Sequence, residues 1–332
     1  MSDAPRIALI LGGDDQTRVT NNSKGGLHNK GSTDVYRLGE LDDAIGVQIT
    51  RNYFRRPRRL GFEKYDLLIN LITDADQNSA VLEVLEKALR NSKVPLLNRP
   101  DAVLRTTREG VAKRLAGIDN LLVPRVRKVR SASAQVLRGL EQSGAMAFPA
   151  ILRRAGTHSG RVVGVIGSPD DAPAERNADG YYLIEFVDFA SADGLYRKYR
   201  LFMFGGAPVF RHMLISDHWN VHAADRERFM MDRPALLEES QGLYERGIDS
   251  LPPQVVPVLQ EIDKRLGLDF YGVDFGILPD GRLVLFEANG TMNFFPVATD
   301  PRLAAMQRCV PPAREAFRKM IASALKALPP SN

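Results

Sequence analysis

Between Leu268 and Phe295 the chain reads LDFYGVDFGILPDGRLVLFEANGTMNFF, two apolar runs separated by Pro279, Asp280 and Gly281. Turn-forming residues between such runs predict an antiparallel hairpin. Alternation of side chains along a strand puts Glu287 and Asn289 on one face of the second arm. Asp274 lies a comparable distance from the turn on the first arm, so the hairpin gathers two carboxylates and an amide oxygen at one point. Acids beside a turn are ordinarily solvated. These are embedded among Val273, Phe275, Leu285 and Phe286, where an uncompensated charge is costly. A hard-oxygen site of this kind suits Mg²⁺ that also holds phosphate oxygens.

Upstream, Arg6 to Leu11 (RIALIL) reads as a buried strand ended by Gly12-Gly13, and the polar stretch that follows to Gly31 reads as a loop. Tyr65 to Leu71 (YDLLINL) and Val94 to Leu97 read as further strands. Between them, Val81, Leu82, Val84, Leu85 and Leu89 recur at helical spacing within Ser79 to Asn91. Strands alternating with a helix imply a small α/β domain with a parallel sheet over about residues 1–100. Its first turn lacks G-x-G-x-x-G, which argues against a dinucleotide enzyme.

Beyond residue 100, Arg105 to Leu115 reads as a helix, Leu121 to Val129 as extended, and Phe148 to Leu152 and Val162 to Ile166 as strands. The loop between those strands carries Gly156, Thr157, Ser159 and Gly160 with flanking arginines, and suits a cover over phosphate. Tyr181 to Val187 reads as another strand. Tyr199 to Phe204 and Val209 to Ile215 read as a hairpin about Gly205-Gly206. His218 and His222 stand at helical spacing with no Glu between them and no third ligand nearby, so they are read as non-metal. Residues 223–266 read as charged helices broken near Leu251 to Pro257, and Ala313 to Leu328 as an amphipathic helix.

A chain of 332 residues has room for two or three domains with substantial cores. A single cysteine, Cys309, excludes an internal disulfide and fits a reducing compartment. No window has the length of a membrane span, and the first apolar run is too short for a signal peptide, so a cytoplasmic protein is expected. Much of the net charge of +5 comes from Arg51 to Arg59 (RNYFRRPRR), read as a solvated face. No nucleic-acid motif accompanies it, and neither nucleic acid nor membrane is expected as a partner.

The order of these pieces resembles the ATP-grasp superfamily of carboxylate–amine ligases, over nearly the whole chain. The resemblance to glutathione-synthetase-like ligases is strongest in G-L-D-F-x-G-x-D from Gly267 to Asp274 and E-x-N-x-T from Glu287 to Thr291. It implies a pre-ATP-grasp α/β domain at 1–100 with a small parallel sheet. A two-lobed α+β grasp domain follows, its lobes at 101–188 and 189–332.

By the resemblance Asp274, Glu287 and Asn289 hold the metal, two Mg²⁺ or alternatively Mn²⁺, that bridges the phosphates of ATP. Arg108 and Arg153 stand where the family usually has phosphate-binding lysines, keeping the charge and gaining bidentate geometry. Thr157 and Ser159 lie in the phosphate loop. Val187 belongs to the hinge strand whose backbone meets adenine, Glu185 reaches the amino group or ribose, and Asp188 contacts ribose. Arg200 contacts phosphate or an acceptor carboxylate, Asn220 helps to place phosphate or substrate, and Arg211 and His212 fall near the substrate cleft.

The implied reaction activates a carboxylate as an acyl phosphate and joins it to an amine, releasing ADP and phosphate. The partners are a small-molecule carboxylate donor and an amino-acid or peptide-like amine acceptor, with a homodimer allowed. The alternative is an ATP-grasp small-molecule phosphotransferase.

Overall fold

The computed structural model describes residues 4–14, 20–21, 27–28, 31–41, 43–50, 61–155, 162–173 and 177–326. β1 (Ile7–Gly13) is buried along its whole length, as its apolar run requires. The polar stretch after it contains one short antiparallel pair, β2 (Thr20–Asn21) with β3 (Leu27–His28), where only loop was expected. β4 (Ile45–Thr50), β5 (Leu67–Asn70) and β6 (Leu96–Leu97) complete a four-stranded parallel sheet in the order β4-β1-β5-β6. β4 was not anticipated, because as an edge strand it leaves Ile45 and Gly46 exposed and shows no buried run. α1 (Ser79–Leu89) crosses from β5 to β6 and buries Val81, Leu82, Leu85 and Leu89.

The helix expected over Arg105 to Leu115 is α3 (Arg108–Leu115), and a short helix that was not expected, α2 (Pro100–Leu104), precedes it. They separate because Thr107 caps α3, its Oγ1 accepting from the Gly110 N–H at 3.1 Å. The extended segment that follows also divides, about Pro124, into β7 (Leu121–Leu122) and β8 (Val126–Val129), which enter different sheets.

β8, β9 (Ala150–Arg154), β10 (Gly164–Ile166) and β11 (Tyr181–Glu185) form an antiparallel sheet in the order β10-β9-β11-β8. Leu137 on α4 (Ala134–Gln142) closes a small core with Leu152, Tyr181 and Leu183. The expected phosphate-loop residues Thr157 and Ser159 fall outside the described residues, as does the basic run from Arg51 to Arg59.

β12 (Tyr196–Phe204) and β13 (Ala207–Ser216) form the expected hairpin about Gly205-Gly206. They share a five-stranded sheet, order β13-β12-β14-β15-β7, with β14 (Phe270–Ile277) and β15 (Leu283–Asn289). α5 (Pro234–Arg246) and α7 (Val310–Lys326) pack on this sheet, α6 (Val255–Leu266) packs on α3, and α7 also meets the short 3-10 helix Val35–Gly39 of the first domain. One continuous core runs from the parallel sheet through Phe202, Phe204, Phe270 and Phe317 of the larger lobe. Burying each such side chain contributes on the order of 2 kcal/mol.

Polar contacts fasten the same junction. Asn98 is fully buried in a left-handed backbone conformation, φ 53°. Its amide donates to the Phe270 carbonyl at 2.8 Å and accepts from the backbone N–H groups of Asp269 and Phe270. Further along, Thr33 Oγ1 donates to the Met292 carbonyl at 2.7 Å, and Asp34 accepts from the N–H of Phe294 at 2.6 Å.

Candidate functional site

β14 and β15 form the expected antiparallel hairpin, and their register sets Asp274 directly opposite Glu287. A bulge at Phe286 breaks the pairing between Asp274 and Phe275, and Asn289 pairs further along with Gly272. β12 borders β14 on the other side and sets Arg200 opposite Asp274. The Arg200 guanidinium grips Asp274 with two bonds of 2.6 Å, and Lys198 approaches the same carboxylate at 3.8 Å. Lys198 was not singled out from the sequence. It sits two residues before Arg200, and period-two alternation along a strand puts both on one face.

Asp274 is 4% exposed, so its charge depends on these partners. Burial alone would raise its pKa; Arg200 and Lys198 more than reverse that and hold the carboxyl below the usual carboxylate range. Lys198 is itself lowered by burial, against the opposing pull of Asp274. Glu287 accepts from Arg108 Nη2 at 2.7 Å. Arg153, near the end of β9, is half-buried beside Arg108 and Glu287. Desolvation and the Arg108 charge both lower its pKa, and Glu287 offsets them in part.

Asn289 Oδ1 accepts from the Thr291 N–H and hydroxyl at 3.0 and 2.6 Å. Among the described residues no group of three or more His, Cys, Asp or Glu side chains could hold a metal ion, so a metal here would draw its third oxygen from the Asn289 amide. The donor set fits a hard divalent cation, since it consists of two carboxylates and an amide oxygen with no sulfur or imidazole.

Two cavities meet at this point. The larger, about 480 Å³, is lined by Glu185, Phe186, Val187, Lys198, Arg200, Asn220 and Asp274, and by Arg108, Arg153 and Glu287 at its inner end. Its volume suits a nucleotide-sized ligand. The segment after β13 supplies another wall, where Trp219 meets Phe186 edge to face at 5.6 Å between centroids. The smaller cavity, about 80 Å³, lies toward the first domain, and Arg108, Arg153 and Glu287 line it too. Together with Pro124, Ile184, Leu285 and Phe286, which also line both, these three side chains form the partition between the two spaces.

Several expected contacts sit differently. The Glu185 carboxylate is held by Arg125 through two side-chain bonds of 3.0 Å. Asp188 is exposed, accepts from the Ala190 N–H at 3.1 Å and is not part of either cavity wall. Arg211 is buried and donates to the carbonyls of Phe294 and Pro296 at 2.8 and 2.9 Å, clamping the segment after β15. Beside it His212 is buried, and desolvation, reinforced by Arg200 and Arg211, keeps its imidazole neutral. Neither residue lines a cavity described above.

His218 and His222 lie outside any helix and turn toward the fully buried Asp225, at 3.3 and 4.0 Å. Asp76, also missed from sequence, takes the Tyr182 hydroxyl proton donor, the Arg108 N–H at 3.1 Å and Lys128 at 3.6 Å. It thereby positions the start of α3, which carries Arg108.

No protein-family model and no curated protein matches the chain. Solved structures do. D-alanyl-alanine synthetase A from Vibrio cholerae superposes with a TM-score of 0.53 at 12% identity, covering 97% of this chain and 98% of that one. The fold is that of the ATP-grasp ligases. VanG D-Ala:D-Ser ligase from Enterococcus faecalis gives a TM-score of 0.52 at 13% identity, over 96% of this chain and 99% of its own. The macrocyclase MdnC from Microcystis aeruginosa, bound with precursor peptide MdnA, gives 0.50 at 13% identity, over 95% and 99%. In this chain β12, β14 and β15 carry the Lys198, Arg200, Asp274, Glu287 and Asn289 cluster. The antiparallel sheet β8–β11 provides the opposing wall of the larger cavity through Ile151, Arg153 and Ile184. No helix among the described residues is long and apolar enough to cross a membrane.

Proposed function

We propose that the protein is an ATP-dependent ligase that activates a carboxylate as an acyl phosphate and joins it to an amine, with ADP and phosphate as co-products. The observation that carries this reading is the charge at the inner end of the larger cavity. There Arg108, Arg153, Lys198 and Arg200 surround two carboxylates, Asp274 and Glu287. Four cations against two acids leave a surplus of positive charge in a partly desolvated place, the complement of a polyphosphate. The chemistry named for solved structures of this fold, D-Ala:D-Ser ligase and D-alanyl-alanine synthetase among them, belongs to the same class.

In this reading the adenosine occupies the larger cavity against Phe186, Val187 and Trp219, with the phosphates directed to the partition. Asp274, Glu287 and Asn289 would hold Mg²⁺, which supplies charge neutralisation on phosphate oxygens when bound. Arg153 and Arg108 stand at the boundary between nucleotide and substrate spaces, where the phosphoryl group passes from ATP to the carboxylate. Arg200, fixed by Asp274, and Lys198 keep positive charge in place throughout, so little reorganisation accompanies the transfer. Asn220 lines the same space and offers an amide to phosphate or substrate. The activated carbonyl then meets the amine, the new C–N bond forms, and the C–O bond to phosphate breaks.

The test is an ADP-release screen of carboxylate and amine pairs with hydroxylamine added. A hydroxamate accompanies ADP if an acyl phosphate forms; a phosphorylated product without hydroxamate makes the protein a phosphotransferase instead. Glu287→Ala should lose at least about a hundredfold in rate, the scale of losing one preorganised charge contact. Full activity in that variant would sink the metal assignment.

A further inference from the structure

The smaller cavity contains one side chain that the fold does not use. Gln77 follows β5 in a turn held by Asp74, whose Oδ1 accepts from the backbone N–H groups of Asp76 and Gln77 at 2.9 and 3.1 Å. The Asn78 N–H adds a bond of 3.0 Å to the Asp74 carbonyl, so three backbone N–H groups of the turn are held by Asp74. Both polar atoms of that side chain, Oε1 and Nε2, are buried and have no hydrogen-bond partner among the described residues. Gln77 lines the cavity together with Thr73, Arg108, Glu287, Asn289 and Thr291.

The neighbouring hydroxyls are already committed. Thr291 donates to Asn289, and Thr73 makes a long contact of 3.4 Å to the Gly31 carbonyl. The Gln77 amide is different, because it brings one acceptor and two donors and spends neither kind on the protein. A buried polar group left unmet costs about 1–3 kcal/mol, and an apolar residue here would avoid that cost. The observation holds whichever way the amide is turned, since neither end has a partner.

Resting on the ligase reading for the adjoining site, we propose that Gln77 is a specificity-determining residue that reads an amide group on the amine acceptor, the substrate whose own carboxyl end takes no part in phosphoryl transfer. A planar group presenting a donor and an acceptor on one edge, a peptide unit or a carboxamide, meets both Gln77 atoms at once. A free carboxylate presents acceptors only. It satisfies Nε2 and turns a second oxygen toward Oε1, leaving that acceptor unmet against a like partial charge. The cavity is therefore built for a peptide or amino-acid amide in preference to a free amino acid.

The test is binding to the full-length protein, saturated with Mg²⁺ and a non-hydrolysable ATP analogue, of the twenty amino-acid amides and the twenty free amino acids, read by calorimetry. At least one amide should bind ten times or more tightly than its own acid. Gln77→Met, similar in shape but unable to pair with either edge, should erase that ratio. Gln77→Glu keeps an acceptor for the amide N–H and repels a free carboxylate, so it should keep the preference or widen it while weakening the binding of both. Circular dichroism of each variant shows that it is folded. Equal binding of amides and acids, binding of neither, or a preference that survives in Gln77→Met overturns the proposal. The ADP-release screen fails independently of this result: amide preference without ADP release removes the ligase reading and leaves the Gln77 assignment standing.

Discussion

Asp274 and Arg200 form the pair on which the site's electrostatics rest, and each is meaningful only with the other. A buried carboxylate whose guanidinium is removed keeps its desolvation cost and loses its compensation, so Arg200→Ala should destabilise the fold by about 3–5 kcal/mol in urea unfolding. Adding Asp274→Ala to that variant should restore part of the loss, and a double variant no more stable than the single one would contradict the account. Asp34 gives a pH test. Burial raises its pKa from 3.8 to about 6, against the opposing effects of the Phe294 and Phe295 N–H groups and of Arg37 and Arg211. Between those two values the folded state holds a proton that the unfolded chain has released. Its contribution to stability is therefore full below the lower value and declines as pH rises to about 6. Asp34→Asn should flatten that part of the stability–pH curve, measured by denaturant midpoints across the range.

The hairpin β14–β15 was readable because its period-two pattern and its Pro-Asp-Gly turn agree with each other. The Gly205-Gly206 hairpin was readable for the same reason. Elements whose limits depend on a cap or an edge were not: the division of α2 from α3 rests on the Thr107 side chain, and β4 forms only because β1 is there to pair with it. Asn98 belongs with these. It follows β6, and its importance comes from the start of β14, where its side chain makes two hydrogen bonds to Phe270 and one to the preceding Asp269. Asn98→Ala removes all three and places alanine at positive φ, so a loss of about 3–5 kcal/mol is expected in chemical denaturation. A loss under about 1 kcal/mol would mean the junction is held by packing alone.

The protein divides mechanically along its cores. The parallel sheet and the five-stranded sheet share one large core, whereas β8–β11 with α4 rest on a small separate one. Fewer buried apolar contacts mean a lower free energy of local opening. Backbone amides of β9 and β11 should therefore exchange hydrogen faster than those of β1, β5 and β14, as measured by mass spectrometry. Addition of Mg²⁺ and an ATP analogue should slow them, because the larger cavity is lined from both lobes. Uniform protection across the three sheets would show that the lobes open as one unit.

Local pattern in the chain was enough to name most of the buried strands, the two hairpins and the placing of Asp274 opposite Glu287, because strand periodicity and turn chemistry act over a few residues. The resemblance also singled out Arg108, Arg153 and Arg200, which line one cavity. Tertiary structure decided which groups meet: that Lys198 joins Arg200 on Asp274, that Arg125 takes Glu185, that Asp76 sets the start of α3, and that Gln77 is left without a protein partner. Such pairings join residues across sheets and between domains, 179 positions apart in the chain for Arg108 and Glu287 and 260 for Asp34 and Phe294. No local periodicity carries that information, since burial and charge compensation exist only once the cores have closed.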